Sequence, residues 1–144
     1  MTFRLVSELS QRIKRAATVG GVLTPSIVSV CDSLGNTPIL FIHGTADPIV
    51  LWEGINPGWC SAENTVQFWM GINHCSQEAE RDTFQDLDPN DGCSVDAYSY
   101  RDTINKSDVF FYKIVGGGQS VARRSSFATC LEYGSIVHGF QCLI

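Results

Sequence analysis

The sequence predicts an α/β fold with mostly parallel strands, on three observations. Ile39-Leu-Phe-Ile42 is a continuous apolar run bounded by Pro38 and Gly44, the pattern of a strand covered on both faces. Val109-Phe-Phe-Tyr-Lys-Ile-Val115 is a second such run, and it empties into Gly116-Gly-Gly118. Between them, Ser61-Ala-Glu-Asn64 precedes apolar residues at helical spacing (Val66, Trp69, Met70), a helix start with its cap.

The remaining elements follow from the same rules. Phe3, Val6, Leu9 and Ile13 recur at helical spacing from the first residues, with Arg4, Ser7, Gln11 and Arg15 elsewhere on the wheel. Ser7 and Ser10 are read as surface residues of that helix. Ala17 to Val22 reads as a short strand ending in glycines. A loop through Pro25, Cys31, Asp32, Gly35 and Asn36 leads to the strand at 38–43. The stretch Leu51 to Cys60 is irregular. In Ser94-Val-Asp-Ala-Tyr-Ser-Tyr100, Val95, Ala97 and Ser99 alternate with Asp96, Tyr98 and Tyr100, a strand joined to 109–115 by a hairpin through Asn105-Lys-Ser-Asp108.

Composition narrows the class. Of 144 residues, 44% are hydrophobic and 17% charged, which is globular rather than disordered. A net charge of −5 argues against a nucleic-acid partner. No apolar run approaches the roughly 20 residues of a membrane span, and no charged-then-apolar leader opens the chain. Six cysteines (31, 60, 75, 93, 130 and 142) are many for this length and lean towards disulfides; Cys75 with Cys93 is one option, and unpaired buried thiols are the other. No Cys-x-x-Cys spacing suggests a zinc site. Asp86-Leu-Asp-Pro-Asn-Asp-Gly92 approaches a calcium loop, but its Gly falls one place late and Ala97 fills the slot of the bidentate Glu. It is read as a turn.

Asp47, just past the strand at 38–43, stands where open α/β sheets place their ligands. Thr37-Pro-Ile-Leu-Phe-Ile-His-Gly-Thr-Ala-Asp-Pro-Ile-Val50 and the later Gly116-Gly-Gly-Gln119 resemble the acid and His segments of the polyhydroxybutyrate depolymerase and feruloyl-esterase-like α/β-hydrolases. Thr65-Val-Gln-Phe-Trp69, Asn73-His-Cys75 and Asp86 to Val95 are similar to further segments of that family. The resemblance covers residues 1–118 and implies the C-terminal half of a serine-esterase domain, from the helix after the nucleophile elbow through the acid and His loops. Residues 119–144 form a divergent tail, read either as a frame shift after the triple glycine or as a different C-terminus. It further implies Asp47 as triad acid, a small-molecule or polymeric ester as substrate, no cofactor and an extracellular setting.

Two departures bear on activity. The family's nucleophilic Ser would fall before Met1, so the chain reads as a piece that opens inside an element. The resemblance implies that the strand at 17–22 lacks its neighbour on the nucleophile side, an uncovered edge expected to give self-association or aggregation. Gln119 takes the place of the His, and an amide cannot serve as a base at neutral pH. The expectation is an esterase-type chain without turnover of its own. A non-catalytic ester- or polymer-binding protein and a fragment completed by a separate Ser-bearing chain are the alternatives. His43 is expected to pack or hydrogen-bond, His74 to lie at the surface, and His138 has no support as a base. Trp52 and Trp59 are read either as walls of an ester pocket or as core packing.

Overall fold

The computed structural model describes residues 1–29, 31 and 37–118. Gln119, His138, Cys130, Cys142 and the whole tail 119–144 lie outside them, as do Asp32, Gly35 and Asn36. Helix α1 spans Thr2–Glu8, strand β1 Ala16–Val19, the single turn α2 Pro25–Val28, and β2 Ile39–Gly44. Helix α3 spans Ala62–Ile72, followed by β3 Glu80–Thr83, β4 Ser94–Tyr100 and β5 Val109–Val115. The strands form one sheet in the order β1-β2-β5-β4-β3.

The α/β class holds, but the sheet is mixed rather than mostly parallel. β1 with β2 and β2 with β5 run parallel; β5 with β4 and β4 with β3 run antiparallel. The hairpin joining β4 to β5 forces one antiparallel pair, and β3 adds another outside it. β3 is a four-residue strand, Glu-Arg-Asp-Thr, exposed throughout; an all-polar edge carries no apolar alternation to announce it. The other corrections are local. β1 is displaced towards the N-terminus of the expected 17–22 and stops before Gly20, whose φ is +62°. α1 ends at Glu8, leaving Ser10 outside the helix. α2 forms where a loop was expected, with Pro at its first turn.

Each face of the sheet carries its own apolar cluster. On the helix side Phe3, Val6, Leu23, Ile39, Phe41, Val66, Trp69, Met70, Val109 and Phe111 pack together. On the other side lie Leu40, Ile42, Val95, Ala97, Phe110, Tyr112 and Ile114. All six residues of β2 are buried, as its continuous apolar pattern demands. The hydroxyl of Ser61 caps α3 by accepting from Asn64 N–H at 3.1 Å.

Buried polar groups brace the strand starts. Asn73 ends α3 fully buried, and its Nδ2 donates to Thr37 O at 2.9 Å and Ser107 O at 2.8 Å, tying the helix to the entrances of β2 and β5. Asp102 shapes the β4–β5 connection. Its carboxylate accepts from the backbone N–H groups of Ile104, Asn105 and Ser107. Burial pushes the Asp102 carboxyl up, but these donors outweigh it and hold the group below its ordinary value. The stability it contributes is therefore complete above the unfolded carboxylate value of 3.8 and lost as pH falls through the lower folded one. Urea midpoints measured downward from pH 5 should show this acid loss, and Asp102→Asn should flatten it.

Cys31, Cys60 and Cys75 are free thiols, so the Cys75–Cys93 bridge is not formed. The two sulfurs serve different places: Cys75 packs in the helix-side core, whereas Cys93 packs against the opposite cluster. Burial pushes the Cys75 thiol up to about 11. Because only thiolate reacts, Cys75 should lag an ordinary thiol of pKa about 8.5 by roughly two orders of magnitude or more in alkylation at pH 8. Peptide mapping after limited iodoacetamide treatment checks this order.

Candidate functional site

The carboxyl ends of β1, β2 and β5 meet at one place, and the loops leaving β2 and β5 are stitched together there. Thr45 N–H donates to Ile114 O and Ala46 N–H to Gly117 O, both at 2.9 Å. Gly116 N–H returns a bond to Thr45 Oγ1 at 2.9 Å. The approach is so close that a Cβ on Gly44 would stand 2.1 Å from Gly117 O. A residue without a side chain at the end of β2 is what lets the glycine run after β5 lie against it.

Asp47 follows this junction, with only 4% of its surface exposed. Its Oδ1 accepts from Ile49 N–H at 2.8 Å and Val50 N–H at 2.9 Å, so Asp47 folds its own loop around one carboxylate oxygen. The other oxygen, Oδ2, lies across from Gly20 at the end of β1. A Cβ built on Gly20 would sit 3.5 Å from it. One oxygen thus holds the loop while the other faces the junction.

A small cavity of about 60 Å³ occupies this junction, lined by Val19 and Gly20, by Ile42, His43, Gly44 and Asp47, and by Ile114 and Gly118. Asp47 is the one carboxylate in this lining, and none of these residues is Ser, Thr or Cys. Gly118, the residue before position 119, belongs to it. The cavity falls short of the roughly 300–1,000 Å³ of small-molecule sites.

His43, 3% exposed, is held rather than poised. Its Nε2 lies 2.9 Å from Val50 O. A carbonyl only accepts, so Nε2 carries the hydrogen, and Nδ1 is buried without a partner among the described residues. The ring meets Trp52 edge-on at 5.8 Å. Packing with a hydrogen bond, as expected from the sequence, is its structural role. Trp52 stacks on Phe111 at 5.7 Å and carries Lys113 Nζ 4.7 Å over its ring. It packs against the helix-side core and does not line the cavity beside Asp47. Trp59 pairs its backbone with Ile55 in the irregular stretch. Ser7 faces the α1 backbone, donating to Phe3 O. His74 is exposed at a positive φ after α3.

Gly20, Thr45 and Asn73 were not singled out as site or bracing residues by the sequence pattern. The glycines after β1 signalled only a strand end, and nothing in a single sequence says that Gly20 opens space beside a carboxylate 27 positions later. In the acidic loop, Asp86, Asp88 and Asp91 accept from nearby backbone N–H groups, as turn residues do. Among the described residues no group of three His, Cys, Asp or Glu could hold a metal ion, and no helix is long and apolar enough to cross a membrane. The chain matches no model of a known protein family and no curated protein sequence.

Proposed function

We propose that this chain is the C-terminal half of an α/β-hydrolase of the polyhydroxybutyrate depolymerase and feruloyl-esterase-like kind, with Asp47 as its triad acid. The observation that carries this reading is the cradle of Asp47. A buried carboxylate stands at the carboxyl end of a parallel strand, one oxygen fixed by two backbone donors, beside the glycine turn that leads into position 119. In an ester hydrolase such a carboxylate orients a His and stabilises the cation formed when that His takes a proton. The order of elements is also consistent: a helix, a strand, a strand followed by Asp, and a strand followed by three glycines.

The chemistry needs three groups. A Ser oxygen attacks the acyl carbon, a His takes its proton and returns it to the leaving alcohol, and the acid holds the His in its tautomer. Water then releases the acid product by the same route. Among the described residues of this site the acid alone is supplied. Residue 119 is Gln, and no hydroxyl or thiol lines the described cavity. The substrate class is a carboxylic ester, of a hydroxyalkanoate oligomer or an aryl acid, and hydrolysis needs a nucleophile and a base beyond the described residues of this site.

The test is direct. The purified chain is incubated with p-nitrophenyl butyrate and, separately, with a fluorophosphonate probe. Release no faster than buffer and no labelled serine are expected. Rapid hydrolysis together with a labelled serine would overturn the reading.

A further inference from the structure

Asp47 does not place itself. Its Oδ1 bonds reach only Ile49 and Val50, two and three residues further on, so they fold the loop but leave it free to turn as one unit. The orientation of the carboxylate has to come from the sheet. Ahead of Asp47 it comes from the exit of β5, where Thr45 N–H bonds to Ile114 O and Ala46 N–H to Gly117 O. Beyond Asp47 the tie is made by His43.

His43 stands in β2, a strand buried along its whole length, and its Nε2–H donates to Val50 O at 2.9 Å. Trp52 meets the ring edge-on at 5.8 Å and is itself stacked on Phe111 of β5 at 5.7 Å, which holds the imidazole against the core. Val50 is thus gripped at both ends of its backbone. Asp47 Oδ1 accepts from its N–H at 2.9 Å, and His43 holds its C=O.

We infer that His43 is a positioning residue for Asp47: it ties Val50, and with it the donors to Oδ1, to the buried strand, and so keeps Oδ2 turned to the cavity beside Gly20. The ring acts through one peptide group and not on the reacting atoms. Bulk alone would not serve in this role; a donor at the place of Nε2 is needed. Glutamine can set an amide N–H there, whereas leucine fills similar space with no donor. The bearing of this tie on catalysis rests on the reading of Asp47 as triad acid, but the tie itself is measured without turnover.

The full chain, labelled with 15N and 13C, is studied by NMR at neutral pH. In the unaltered chain the imidazole nitrogen shifts should show a hydrogen on Nε2 of His43. In His43→Leu the amides of Ile49 and Val50 should exchange about tenfold faster or more, beyond any change at Phe41 and Phe111, and the Asp47 carboxyl carbon resonance should move. His43→Gln should bring both amides back to within about twofold of the unaltered chain. A bare Nε2, a folded His43→Leu variant with these amides and the Asp47 resonance unchanged, or a Gln variant that behaves as the Leu variant would each overturn the inference. Should the Leu variant fail to fold, the site of the ring hydrogen in the unaltered chain decides. Ester turnover enters none of these readings, so a failed esterase test leaves them intact, and their failure leaves the assignment of Asp47 standing.

Discussion

Replacing Trp69 with alanine should lower the unfolding free energy by about 3–5 kcal/mol, the range for deleting a buried large aromatic. Trp69 is 1% exposed, stacks with Phe3 at 6.1 Å and meets Phe68 edge-on at 6.0 Å. It sits where α1, α3 and the sheet converge, so its removal leaves a cavity that no single neighbour can fill. Domains of this size are stable by only about 5–15 kcal/mol, and the variant should be largely unfolded in modest urea. The check is the urea midpoint with its slope; a shift in midpoint at constant slope identifies lost packing rather than an altered unfolded state.

Asp47→Ala should cost about 3 kcal/mol, from losing charged hydrogen bonds to two backbone donors whose individual worth is roughly 1.5–3 kcal/mol. The N–H groups of Ile49 and Val50 lose their shared acceptor, and the loop that also presents Val50 O to His43 loosens. Asp47→Asn keeps an acceptor oxygen and should recover about half of that loss. Comparing the two variants by thermal or urea unfolding separates the folding role of Oδ1 from the negative charge. If alanine and asparagine proved equally stable to the native residue, the cradle would not be holding the loop.

What could be read from the sequence was what apolar pattern announces. β2 and β5 stood out because burial on both faces leaves continuous hydrophobic runs, and α3 because Ser61 caps a periodic stretch. β3 had no such signal: an exposed edge selects charge, and Glu-Arg-Asp-Thr looks like any loop. α2 is one turn long, too short for periodicity to register. The placement of Asp47 beyond a strand end was legible as well. The division of labour between its two oxygens was not, because it depends on Gly20, Ile49 and Val50 converging in space. Asn73 was hidden for the same reason, since its carbonyl partners lie 36 and 34 residues away.

The claim that Asp47 is the acid of an ester-hydrolysing triad is tested most directly by supplying it with a nucleophile and a base. Residues 1–118 are joined behind the Ser-bearing half of an active esterase of the resembled kind, and followed by that enzyme's own His-containing C-terminus. The hybrid should hydrolyse p-nitrophenyl butyrate, and Asp47→Asn should lower its kcat by about 10⁴-fold, as removing a triad acid does, while its fold persists. A hybrid that turns over equally well with Asn at this position would contradict the account.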